Sequence, residues 1–227
     1  MPKSRRYLLI SLCALFAIVL VWTFLRSSTP VVPEAIKRGY SEALAKARAG
    51  QPGAARVLYQ QLARPDISPK RRVWLHAELP NYPSSVALKL ANADLQHESP
   101  DVRIAAIKSI TGLVPSGQRS LLLGPLLDDA EQSVRLAAVN ALLGLSPDDL
   151  GLYFGPLEQA IDAWQHTLKR EPQSAENQYQ LARLYTHNAE FKEAQQALET
   201  TLRLAPDTSP ALVMQIEVLH KLGQNDA

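Results

Sequence analysis

Five histidines, one cysteine and two acidic pairs are the residues of this 227-residue chain with the clearest chemical potential. His76, His97, His166, His187 and His220 fall one to a helix or loop, with no HxxxH spacing and no cysteine beside them, so the arrangement of a metal site is missing. Asp128 with Asp129 and Asp148 with Asp149 have the look of paired carboxylates. Both pairs stand at helix boundaries, where acids cap exposed N–H groups and complement the helix dipole. GxSxG, P-loop and GxGxxG motifs are absent, as is the CxxCH run of a covalent haem, and the lone Cys13 excludes an intramolecular disulfide. These patterns point away from an enzyme and imply no cofactor and no metal. An enzyme with a site in a groove is the least favoured reading.

Function must then reside in surfaces, and the surfaces depend on how the elements repeat. DVRIAAIKSI, residues 101 to 110, returns as SVRLAAVNAL at 133 to 142, a period of 32. Recurrence at such a period marks stacked units, none of which can bury its apolar face alone. Ser68-Pro69 and Ser99-Pro100 start helices in the same way, Ser as N-cap and Pro at the first helical position, so units begin near Ser68, Ser99 and Glu131. Val102, Ile104, Ala105, Ala106, Ile107 and Ile110 cannot all face one neighbour, which predicts a helix sandwiched between two others, with the paired alanines allowing close approach and the arginine at a solvated edge. LLDDAEQSVRLAAVNALLG, with its Leu pair, Asp129, Val-Arg and alanine run, resembles the HEAT family; SPDVRIAAIKSITGL matches less well, with His97 in place of the aspartate. The resemblance covers residues 68 to 145.

Downstream the period becomes 34. AIDAWQHTLKREP at 160 to 172 aligns with AQQALETTLRLAP at 194 to 206, and SAENQYQLARLYTHNAEFKEA lies between them. These residues resemble the tetratricopeptide family, with Trp164 and Leu198 at its large-residue position and Thr167 and Thr201 where a small alanine is usual. The resemblance implies a concave groove lined by the first helix of each pair. Its positions fall on Glu176, Tyr179, Arg183, Thr186 and His187, and in the terminal helix on Glu217, His220 and Lys221. The terminal helix, near Ser209 to Lys221, is expected to cap the array through Leu212, Ile216 and Leu219. The lysine and asparagine pattern of a carboxylate clamp is absent.

Composition agrees with an interaction protein. At 46% hydrophobic the chain can fold, and a charge of +2 from 24 basic and 22 acidic residues gives no basic field for nucleic acid. MPKSRR precedes nineteen uncharged residues, 7 to 25, long enough as a helix to cross about 30 Å of hydrocarbon. Bulky Phe24 and Leu25 stand where a signal-peptidase site needs small residues, which favours an uncleaved anchor. Lys3, Arg5 and Arg6 favour a cytoplasmic N-terminus, placing the body outside, in the periplasm if the cell is bacterial. PKRRVW at 69 to 74 sets three cations at a helix start and is a candidate contact with anionic lipid, weighed against a merely solvated face.

The expected architecture is all-α: a helical-repeat solenoid with an N-terminal transmembrane helix. It divides into a cytoplasmic start (1–6), an anchor (7–25), a linker (26–33), a helical hairpin with HEAT-like repeats (34–145) and tetratricopeptide-like repeats with a capping helix (146–227). The expected function is a scaffold or adaptor that binds a protein or peptide at the outer face of the membrane. The order of the two repeat types is also similar to the C-terminal region of bacterial multihaem cytochrome-like proteins, without their haem motifs, and the anchored repeats are similar to tetratricopeptide chaperones of cytochrome maturation. That resemblance implies an assembly role for an envelope respiratory or cytochrome complex.

Overall fold

A computed structural model describes residues 34–170 and 174–223, with side chains from residue 39 onward. The expected anchor at 7–25 and linker at 26–33 lie outside the described residues. The chain divides into two compact units at residue 42, and helix α1 (Glu34–Arg48) carries the chain from the first into the second.

The described residues form helices and turns, with no strand among them. After α1 the GQPG turn reverses the chain. Gly50 and Gly53 there take left-handed φ values of 61° and 76°, a conformation that costs glycine nothing. Helices α2 (Ala54–Leu62), α3 (Pro69–Glu78), α4 (Ser85–Asp94), α5 (Pro100–Leu113), α6 (Ser116–Leu123) and α7 (Gln132–Leu142) follow. A short α8 (Pro147–Leu150) then leads to α9 (Phe154–Leu168), α10 (Ala175–His187), α11 (Phe191–Leu204) and α12 (Ser209–Lys221). Serine caps recur: Ser84 Oγ accepts from Ala87 N at 3.0 Å, and Ser174 Oγ from Asn177 N at 3.2 Å.

The first helices of the upstream repeated units stack in series, α3 on α5, α5 on α7, and α7 on α9, while α4 and α6 pack behind α5 and α7. Helix α5 is therefore sandwiched between α3 and α7, as its composition predicts: Val102, Ala105, Ala106, Ile107 and Ile110 are buried, while Ile104 is only half-buried. Ala106 and Ala138 are both fully buried where neighbouring helices come close.

The arginines correct the expectation of a solvated edge. Arg72, Arg103 and Arg135 occupy equivalent positions of successive first helices, and each ties its repeat to the turn before it. Arg72 Nη1 donates to Leu62 O at 3.0 Å and Arg72 Nη2 to Arg64 O at 2.6 Å; Arg103 Nη1 donates to His97 O and Glu98 O; Arg135 Nη1 donates to Asp129 O and Ala130 O. Arg72 and Arg103 also reach forward to a carboxylate of the next turn, Asp94 at 2.9 Å and Asp129 at 2.8 Å. These bonds satisfy turn carbonyls that a helix end leaves orphaned. His97 proves a good substitute for the missing aspartate in one respect. Its Nδ1 accepts from Ser99 N at 3.0 Å, as Asp129 Oδ1 accepts from Glu131 N at 2.9 Å, and the carboxylate that Arg72 needs comes from Asp94.

In the tetratricopeptide-like segment Trp164 and Leu198 are buried at the large-residue positions. Thr201 is fully buried where alanine is usual, and its hydroxyl bonds Ala197 O of its own helix at 2.9 Å, so no polar atom is orphaned. The terminal helix departs from expectation. It packs on α11 through Ala211 and Val218, both fully buried, while Leu212 and Ile216 are 44% and 70% exposed. The small Ala211 brings α12 close to α11, and the Leu212 face stays exposed.

Candidate protein-binding surface

The same three positions of α3, α5 and α7 turn outward, three and four residues apart on one face of each helix. Val73, Ile104 and Leu136 recur at intervals of 31 and 32 and form the floor of a trough that crosses the stacked helices. Lys70, Asp101 and Ser133 follow one rim, and Ala77, Lys108 and Asn140 the other. The part between α3 and α5 has a volume of about 850 Å³ and includes Trp74, which is 46% exposed. The part between α5, α7 and α9 has about 770 Å³ and ends on Trp164 and Leu168. Ile104 and Lys108 line both parts, so the two adjoin at these side chains. Each is as large as the clefts that take small ligands, and the lining is mostly apolar.

Trp74 is held in place by a neighbouring charge. The Arg48 guanidinium lies 5.4 Å from the ring centroid and is itself fixed by Glu78 at 3.0 Å. An exposed, oriented tryptophan on an apolar floor is the residue type that dominates interface energetics.

Helix α10 meets the far end of the trough with a stripe of polar side chains. Gln180 Nε2 donates to Glu176 Oε1 at 2.6 Å, and Arg183 Nη1 donates to Gln180 Oε1 at 3.0 Å and to Asn140 Oδ1 of α7. Glu176 thus lines the trough, whereas the Arg183 guanidinium is held by two side chains and links α10 to α7. Arg183, Thr186, His187 and Glu217 come together around a second groove of about 620 Å³, where Phe154 and Met214 also stand. His187 Nε2 lies 3.2 Å from Glu158 Oε1 there. Tyr179 is half-buried, and His220 and Lys221 are exposed on α12; none of the three lines the trough or this second groove. Sequence reasoning missed Val73, Ile104, Leu136 and Gln180. The first three gave no signal of their own, since an apolar helix position reads as core until its neighbours are placed.

One arrangement imitates catalytic machinery. His76 Nε2 lies 2.7 Å from Asp94 Oδ2 and His76 Nδ1 lies 3.0 Å from Ser109 Oγ, a Ser-His-Asp sequence of contacts with Arg72 closing on Asp94. His76 and Ser109 are each 1% exposed, and the serine hydroxyl is also within 2.9 Å of His76 O and 3.1 Å of Ala105 O. No substrate atom can reach Ser109, and the group acts as a buried clasp between consecutive repeats. Burial pushes the Asp94 carboxyl up, but hydrogen bonds from His76 and Arg72 outweigh it and hold the group below the usual carboxylate range. His76 is therefore a buried structural residue. Arg72, likewise, is withdrawn from the PKRRVW cluster into this clasp. Among the described residues no group of three or more His, Cys, Asp or Glu is placed to hold a metal ion. Nor is any described helix long and apolar enough to cross a membrane.

Comparison with protein families agrees with the helix order. Residues 152–214 match the family model described as Tetratricopeptide repeat. The segment from the turn before α9 into α12 is therefore tetratricopeptide-like, a type of repeat that generally binds protein partners. Neither a curated protein nor a solved structure matches the chain.

Proposed function

We propose that the protein is a membrane-anchored adaptor, with the body outside the cytoplasm holding a segment of another protein in the trough. The observation that carries this reading is the register of Val73, Ile104 and Leu136. One outward position of three stacked helices is apolar each time, where a surface with no occupant has no reason to repeat an apolar residue. The anchor part of the reading is supported by the nineteen uncharged residues 7–25 behind KSRR. Held at the membrane, the body presents the trough to partners in or beside the bilayer, at high local concentration.

Two measurements test the reading. Alkaline phosphatase fused after Ala227 is active and the mature chain begins at or near Met1; a soluble form beginning near Ser27 contradicts the anchor. Detergent purification retains one stoichiometric protein with the wild type and loses it when Trp74→Ala and Leu136→Asp are combined, with the circular dichroism spectrum unchanged. Equal retention by that variant contradicts the trough.

A further inference from the structure

The trough is apolar along its floor but not neutral at its rims, where two lysines and two carboxylates differ in how they are already engaged. Glu176, where α10 closes the far end, already accepts from Gln180 Nε2 at 2.6 Å. Asp101 stands in the first turn of α5, where its carboxylate complements the positive end of that helix's dipole. Lys70 stands in the first turn of α3, where it adds to the positive end. Lys108 lies in mid-helix, exposed, at the junction of the two parts of the trough. Among the described residues neither lysine has a hydrogen-bond or ion-pair partner.

The lining also restricts the backbone of an occupant. Stacked helices consume their own N–H and C=O groups, so the floor offers an extended peptide no ladder of hydrogen bonds. A helix brings its backbone already satisfied. The trough crosses α3, α5, α7 and α9, three helix-to-helix steps of about 8–10 Å. At 1.5 Å per residue, about 18 residues of helix span that length.

Resting on the trough being the partner site, we infer that its occupant is an acidic amphipathic α-helix of another protein, apolar stripe on Val73, Ile104 and Leu136, carboxylates on Lys70 and Lys108. Trp74 packs on one end of the stripe and Trp164 lies beneath the other.

The test uses the full chain in mild detergent and two fluorescein-labelled 18-residue helices with the same leucine stripe. One carries glutamates beside the stripe, the other lysines at the same positions; protein-free detergent is the blank. The glutamate helix binds at least tenfold more tightly by fluorescence anisotropy. The combined Lys70→Glu and Lys108→Glu variant reverses that preference. Leu136→Asp and, separately, Trp74→Ala weaken both helices, with helical content unchanged. Equal affinity for the two helices, or preference for the lysine helix, overturns the charge assignment. If Leu136→Asp and Trp74→Ala still weaken binding in that case, the trough itself stands. Binding that survives both apolar variants, or no binding of either helix, overturns the trough as well. If phosphatidylglycerol vesicles alone bind the wild type, and lose it on the lysine changes, the site is a lipid contact and the proposal fails.

Discussion

Removing the Asp94 carboxylate tests the clasp between repeats, because it takes away two buried partners at once. Asp94→Ala leaves the Arg72 guanidinium with only its carbonyl bonds to Leu62 and Arg64, and leaves His76 Nε2 facing a void. Hydrogen bonds to charged groups contribute about 1.5–3 kcal/mol each, and breaking a buried pair on one side costs about 3–5 kcal/mol. The lower half of that range applies, since Arg72 keeps two acceptors. For a body of this size a loss of 3–4 kcal/mol lowers the melting temperature by about 10 °C. Urea unfolding of the full chain in detergent, followed by circular dichroism, reads the loss. Arg72→Ala, Asp94→Ala and the double variant form a cycle with a coupling of about 2 kcal/mol. The pH dependence has a definite sign. Asp94 is held below its ordinary pKa by folding, so its contribution is complete above the unfolded value and disappears as pH falls through the folded one. The gap between wild type and Asp94→Ala is constant above about pH 5 and closes as pH falls below about 4. A loss under about 1 kcal/mol, simple additivity in the cycle, or a gap that persists in acid refutes the clasp.

Other changes have equally direct readouts in the same unfolding assay. Arg103→Ala frees His97 O and Glu98 O and leaves Asp129 without its cation, a loss of about 2–3 kcal/mol; an effect near zero returns the arginine to a solvated edge. Ala138→Arg forces a charged chain into a fully buried contact and unfolds the stack, at a cost of about 3 kcal/mol or more. A Cβ at Gly124 would lie 2.3 Å from the Tyr153 ring, so Gly124→Ala costs about 1–3 kcal/mol, and Tyr153→Ala in the same chain relieves part of it. Ala189 is the only non-glycine with positive φ among the described residues, at 59°; Ala189→Gly leaves stability unchanged or raises it by about 0.5 kcal/mol, and a clear loss contradicts that backbone.

The stacking of α5 and α7 was legible because the same ten-residue pattern occurs twice, and buried alanines have no alternative role at that spacing. Their third, outward face was not. Ile104 and Leu136 look like core residues until neighbouring helices are placed, because periodicity shows that a position is apolar but not what covers it. Arg72, Arg103 and His76 were misread for a related reason. A charged or titratable side chain reads as surface, and partners 22, 26 and 18 residues away carry no local signal. The α10 stripe was half legible. Glu176, Arg183 and His187 share one face by their spacing, yet nothing in the sequence says that Asn140 of α7 would take the arginine. In α12 the burial of Ala211 and Val218 rather than Leu212 and Ile216 reverses the hydrophobic preference, which follows when close packing against α11 selects the smaller side chains.

Site-specific photocrosslinking in living cells shows which face of the stacked helices holds the partner. A photoreactive phenylalanine analogue replaces Trp74, Ile104 or Leu136 along the trough, and Lys89, Glu199 or Lys192 on second helices as controls. One crosslinked protein of the same mass is expected from all three trough positions and none from the controls, with the crosslinked peptide helical, apolar on one face and acidic beside it. Crosslinks confined to the control positions, or no shared partner along the trough, would contradict a binding surface built from the outward face of α3, α5 and α7.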